Sequence, residues 1–449
     1  MKFREIVDSP CGLRYMIETL PLSSGYAMSY LLDSELSVTK EDIEKGYLQL
    51  KKYLPLWEND NSRYLSSLQH KLYTLKDINR TILRVEQGDP VDDIELFEIK
   101  HCLILALDAA ELLGKSGIED CGLDVNKIEK VLAILDPDGH KIDSFYISDS
   151  YSEELSRVRK QISVTQDPEK LSELKFYEHE IERNVRETLC KLLSPWAYLI
   201  RDSLWSLVNI DIDIAKGGQM KKLNLIIPEI ASEGCGIYKG MFHPYVQSIL
   251  DKSGAVFTPI DIELDSRPTL IIGANMGGKT VVMKMLAMAQ YLMGMSMGIP
   301  AEYACVPLKK RIFFISGDAQ NLSTGLSSFA AEIKSIDQVI VASEEHPEDI
   351  IAMIDEPARS TNPVEGTALV LSLINVLKKR GVSLVMTTHY NIQSEECSKF
   401  RVTGLENGKM NYRLCKTSDN EVPREALAVA QSLNISAEWI AEAKKLLTV

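Results

Sequence analysis

The eight cysteines of this 449-residue chain, at 11, 102, 121, 190, 235, 305, 397 and 415, contain no C-x-x-C pair. That excludes the common zinc-ligand spacing and a disulfide framework, and leaves buried thiols. A basic surplus is also missing: 50 Lys and Arg stand against 64 Asp and Glu, a net charge of −14, so the chain on average repels nucleic acid. Contact with DNA would need a local basic groove. No apolar run is long and uncharged enough to read as a membrane span; the nearest, Val281 to Ile299, carries Lys284 and Gln290 and reads as a buried helix. The first nine residues, Met1 to Ser9, are charged at once and lack the apolar core of a signal peptide, so a cytoplasmic protein is expected. No segment is of low complexity, and the 45% hydrophobic, 25% charged composition fits about two to four globular domains.

What is present is organised around Gly273, Ala274, Asn275, Met276, Gly277, Gly278, Lys279 and Thr280, which fit G-x-x-x-x-G-K-[ST] without mismatch. Thr269 to Ile272 reads as a short buried strand and Thr280 onward as a helix, the order a phosphate loop needs. Glycines let backbone N–H groups close around phosphate oxygens, and the helix N-terminus adds its partial positive charge. Lys279 is expected on the β- and γ-phosphates, and the Thr280 hydroxyl on Mg²⁺.

The chain before this loop reads as helices, with apolar periodicity over 39–54, 61–85 and 92–113, the last stopped by Gly114. Asp167 and Pro168 read as an N-cap and first-turn proline opening a helix of about 25 residues, divided by Pro195 from the next. Gly217 and Gly218 are expected to end the helical half, and strand-like pieces follow at 225–227, 236–238 and 255–258. Three apolar runs after the loop, 311–315, 350–354 and 383–386, suit a parallel sheet with ligands at its carboxyl ends. The second runs into Asp355-Glu356, read as a metal-holding carboxylate and a water-orienting base; an exposed turn is the plain alternative. The third runs into His389, placed to sense a γ-phosphate. The small polar stretch from Asn321 to Phe329 sits where ABC-type ATPases carry a signature loop, or is a Ser-rich linker.

These residues resemble the MutS family. The loop 273–280 is similar to its G-P-N-M-G-G-K-[ST]; Ser327-Ser328-Phe329 with Glu332 resembles S-T-F-x-x-E; Asp355, Glu356, Arg359 and Thr361 fall in D-E-x-x-R-x-T; and Thr388-His389-Tyr390 matches T-H-Y. His243-Pro244 and Phe257 look like the family's H-P and its adenine-stacking aromatic. The resemblance implies a multidomain chain: a helical core domain over 1–115, lever-like helices without a clamp insertion over 116–222, an ABC-type P-loop ATPase domain over 223–419, and a helix-turn-helix dimerisation segment over 420–449. It implies Mg-ATP held by Lys279, Thr280 and Asp355, water aligned by Glu356, His389 at the γ-phosphate, and Ser327 arriving from the opposite subunit of a homodimer or from a second MutS-like chain. No G-x-F-Y-E mismatch-reading motif occurs in these residues, and the protein is expected to lack the two N-terminal domains and the clamp of repair proteins and the nuclease tail of the paralogous branch. Pro357, Ala358 and Ser360 replace the usual Gly-containing residues after the acidic pair. Double-stranded DNA is therefore one expected client, with acidity and the missing clamp weighing against it. A protein client, as for MutS-like chaperones or reactivases of coenzyme-dependent aminomutases, is the alternative.

Overall fold

The structure, a computed structural model, describes residues 1–140, 147–231, 235–273, 277–316, 328–359, 361–406, 409–418 and 436–447. In chain order the helices are α1 (Phe3–Ile6), α2 (Leu13–Glu18), α3 (Gly25–Asp33), α4 (Lys40–Tyr53), α5 (Ser62–Leu72), α6 (Asn79–Gln87), α7 (Asp93–Lys115), α8 (Val125–Leu135), α9 (Glu153–Val164), α10 (Pro168–Leu193), α11 (Ala197–Leu223), α12 (Pro244–Ser253), α13 (Lys279–Gly294), α14 (Ser328–Ala342), α15 (Pro363–Arg380) and α16 (Ala437–Leu447). The strands are β1 (Glu229–Ala231), β2 (Gly236–Met241), β3 (Ile260–Leu264), β4 (Thr269–Ile272), β5 (Tyr303–Pro307), β6 (Arg311–Ile315), β7 (Ile350–Ile354), β8 (Ser383–Thr388), β9 (Ser398–Glu406) and β10 (Lys409–Lys416). The chain forms two compact units, one of residues 1–20, 35–48 and 219–449, the other of 21–34 and 49–218.

The second unit is helical. Its longest helix within a single unit, α10, spans 26 residues, about 40 Å at 1.5 Å per residue. It begins as its sequence dictates: the Asp167 side chain accepts the Glu169 N–H at 3.1 Å, and Pro168 occupies the first turn, where no backbone donor is needed. A 3₁₀ turn over Ser194–Trp196 separates it from α11. The expected helix over 61–85 is broken: α5 ends at Leu72, and the Asp77 side chain accepts the Asn79 N–H at 3.0 Å to start α6. Gly114 does not stop α7, which runs on to Lys115. Gly217 and Gly218 do not end α11 either. They make room for Trp57, whose Nε1 donates to Ile214 O at 2.9 Å; a Cβ on Gly218 would lie 2.3 Å from the indole ring.

The first unit holds two sheets. One is four-stranded, in the order β1-β5-β2-β3. The stretch 255–258 forms no strand, and the pairing there belongs to β3 instead. The other sheet has the order β10-β9-β4-β8-β7-β6, parallel except for the edge strand β10. β4 and β7 are buried at every residue, as strands covered on both faces must be, which explains their unbroken apolar sequences. α13 is buried all round from Met285 to Gly294, so that stretch has no polar stripe. Between β4 and β7 lies β8, and this order brings three strand ends to one edge.

Candidate nucleotide site

Each chemical group reaches that edge for a local reason. β4 ends at Ile272, paired with Thr388 of β8, while Ile354 at the end of β7 pairs with Met386. α13 is entered through Gly278, whose φ of +86° lies in the left-handed region that suits glycine; the ring of Tyr412 packs on it. Lys279 opens the helix with its side chain 4% exposed. Its Nζ donates to Gly273 O at 2.9 Å and pairs with Glu356 Oε1 at 3.1 Å. Gly277 is buried and Thr280 half-buried in the first turn of α13.

Asp355 and Glu356 leave β7 tied to β8. The Glu356 N–H donates to Thr387 Oγ1 at 2.8 Å, and that hydroxyl donates to Asp355 Oδ1 at 2.5 Å. The Glu356 carboxylate also accepts from Arg359 Nη1 at 3.3 Å. Burial pushes its pKa up, but Lys279 and Arg359 together outweigh this, and Glu356 sits below the ordinary glutamate value. It is ionised at neutral pH. His389 is lowered, chiefly by burial, with Lys279 and Arg359 adding to this against the pull of Glu356. Its ring stacks at 4.2 Å on Tyr390, and its buried Nδ1 has no hydrogen-bond partner among the described residues.

The structure thus brings Gly273, Gly277, Gly278, Lys279, Thr280, Asp355, Glu356 and His389 to one sheet edge. Ala274, Asn275, Met276 and Ser327 lie outside the described residues. Phe257 is half-buried in the connection between α12 and β3. Residue-by-residue reading missed the roles of Thr387, Tyr390, Glu332 and Arg359. The Glu332 Oε1 accepts the Ala358 N–H at 3.3 Å, and the Tyr390 hydroxyl donates to Ala358 O at 2.6 Å. Tyr390 also accounts for Gly366, where a Cβ would come within 2.2 Å of the phenol oxygen. The T-H-Y, S-T-F-x-x-E and D-E-x-x-R-x-T matches contained Tyr390, Glu332 and Arg359 but not Thr387, and only the histidine, the serine and the acidic pair carried obvious chemistry.

A buried lysine at a Gly-rich helix N-terminus, an acidic pair one strand away and a sensor-like imidazole between them define a P-loop nucleotide site. Residues 269–447 match MutS domain V, which is a P-loop ATPase domain. The chain is similar to proteins named Endonuclease MutS2: 30% identity to that of Alkaliphilus metalliredigens, over 57% of this chain and 32% of the relative, and 24% to that of Aquifex aeolicus, over 90% and 52%. It is 32% identical to that of Caldicellulosiruptor saccharolyticus, over 47% and 26%. The matched part of the chain, residues 269–447, is a MutS-family domain. These alignments cover no more than about half the length of these relatives. No described helix is long and apolar enough to cross a membrane.

Proposed function

We propose that this chain is a Mg-ATP-hydrolysing, ABC-type ATPase that works as a dimeric switch. In this reading a helical core over 1–115 and levers over 116–222 serve an ATPase head over 223–419 and a helix-turn-helix over 420–449. The observation that carries it is the convergence of Lys279, Asp355, Glu356, Thr387 and His389 at one edge of a single sheet. Lys279 holds the β- and γ-phosphates, exchanging the Gly273 carbonyl and the Glu356 carboxylate for phosphate oxygens. Asp355 and Thr280 offer the hard oxygen donors that Mg²⁺ prefers, and the metal when bound neutralises phosphate charge. Glu356, ionised and fixed from behind by Thr387, orients the attacking water and takes its proton. His389, neutral at pH 7, directs its unsatisfied ring nitrogen to the γ-phosphate. Phe257 stacks on adenine, and Ser327 comes from the other subunit, a second copy or a related chain.

For the client, DNA contact is the family reading. A protein client is favoured by the charges on α9 and α10, where eight Lys and Arg are matched by eight Asp and Glu. Arg159 is held by Glu178, Glu182 and Asp149, and Arg186 by Asp93. Such pairing commits these two arginines to carboxylates rather than to phosphates.

Phosphate release tests the engine: wild type hydrolyses ATP, Lys279→Ala neither binds nor hydrolyses it, and Glu356→Gln binds but hydrolyses at least a hundredfold more slowly. A Glu356→Gln protein that stays monomeric at saturating ATP would count against the composite site. Duplex binding, with and without a mismatch and at low and physiological salt, separates the clients. Tight binding with a steep salt dependence supports DNA, and absence of binding at low salt supports a protein.

A further inference from the structure

The turn that carries Glu356 is strained. Glu356 has φ of +47° and Ala358 φ of +60°, both left-handed without being glycine, on either side of Pro357. Such a backbone persists only where its surroundings over-determine it. Here they do so at the Ala358 peptide units. The N–H donates to Glu332 of α14, while the carbonyl accepts the Tyr390 hydroxyl from beyond β8 and the Thr361 N–H at 3.3 Å. Ala358 is 1% exposed and Tyr390 5% exposed, so water does not replace these partners readily.

We propose that Glu332 and Tyr390 are positioning residues for the water-orienting carboxylate. Clamping Ala358 from its two ends, they hold the turn in the one conformation that presents Glu356 beside Lys279. Neither touches the reacting atoms. The turn is suspended between α14 and the exit of β8, and a shift of either element moves the carboxylate. The inference rests on the ATPase reading for its kinetic consequence, but its structural content can be read without hydrolysis.

The kinetic test uses the full chain. Tyr390→Phe is expected to lower kcat for ATP about tenfold, the loss of one buried hydrogen bond expressed in the barrier, with nucleotide affinity within twofold of wild type. Glu332→Ala should behave alike, whereas Glu332→Gln, which keeps an acceptor oxygen, should retain most of kcat. The diagnostic variant is Ala358→Gly, because glycine adopts the left-handed conformation without a clamp. In that background Tyr390→Phe should cost threefold or less. Equal losses in both backgrounds, or wild-type kcat in Tyr390→Phe, would overturn the proposal. Amide hydrogen exchange over 356–361 is the second readout: faster exchange in Glu332→Ala at unchanged global stability is expected, and unchanged exchange refutes the clamp. Wild-type protein without ATP hydrolysis would sink the ATPase reading while leaving the exchange test to decide the clamp.

Discussion

Lowering the pH should destabilise the first unit through one residue, His243. Its imidazole is 2% exposed and packed so tightly that its Cε1 would lie 2.6 Å from a Cβ on Gly12, with the Met288 methyl alongside. Burial, then the nearby charge of Lys284, lower its pKa from 6.5 to about 4 against weaker help from backbone groups. Nδ1 has no hydrogen-bond partner among the described residues to stabilise a proton. A folded pKa below the unfolded one means that the unfolded chain binds the proton more tightly. The contribution is therefore complete above about pH 6.5 and is lost as pH falls towards 4. Integrating between pH 8 and pH 5 with these two values gives a loss of about 2 kcal/mol. Urea unfolding of wild type and His243→Gln at pH 8, 6 and 5 isolates the effect. Other carboxylates titrate in both proteins, so the difference in pH slope belongs to His243. NMR titration of the ring reads the pKa directly. A ring titrating near 6.5, or identical slopes in the two proteins, would refute the account.

The opposite sign is expected in the helical unit. Burial raises Asp213 to about 6, with Lys216 at 4.0 Å compensating only in part, so this contribution is present at low pH and lost as pH rises through 6. Asp213→Asn should remove a slope of up to about 3 kcal/mol between pH 4 and 8, checked by urea midpoints across that range. Two glycines of the same unit should respond in opposite directions to alanine. Gly114 in α7 has nothing within 4 Å of a new Cβ, so Gly114→Ala should stabilise by about 0.5–1 kcal/mol, whereas Gly218→Ala drives a methyl into Trp57 and should destabilise by roughly 1–2 kcal/mol net, both read from thermal midpoints. In the first unit, Tyr47→Phe removes the buried hydroxyl that donates to Met297 O at 3.0 Å and should cost about 1 kcal/mol in the same assay.

Legibility in the sequence followed how local the physics is. The strand and helix flanking residues 273–278, β6, β7 and most of β8, and the Asp167–Pro168 start of α10 were readable, because each is fixed by residues adjacent in sequence. The break between α5 and α6 was not, since the apolar stripe continues across it while a single Asp77 side chain restarts the helix. Gly217 and Gly218 misled for the reverse reason: glycine in a helix usually marks an end, and only Trp57, some 160 residues earlier, explains why helix persists here. Thr387, Glu332 and Tyr390 act on backbone atoms about 26 to 32 residues away, and no pattern within one element encodes that.

The site also explains why Pro357 and Ala358 are compatible with the fold. A glycine would reach the left-handed conformation unaided, and alanine there costs about 1–2 kcal/mol. That cost is offset by three hydrogen bonds to one residue's backbone, at least one of them from a buried phenol. In a glycine-bearing turn the carboxylate position depends on the turn itself, whereas here it depends on α14 and the β8 exit keeping their places. In the proposed clamp, movement of either neighbour alters the position of Glu356 through the Ala358 hydrogen bonds.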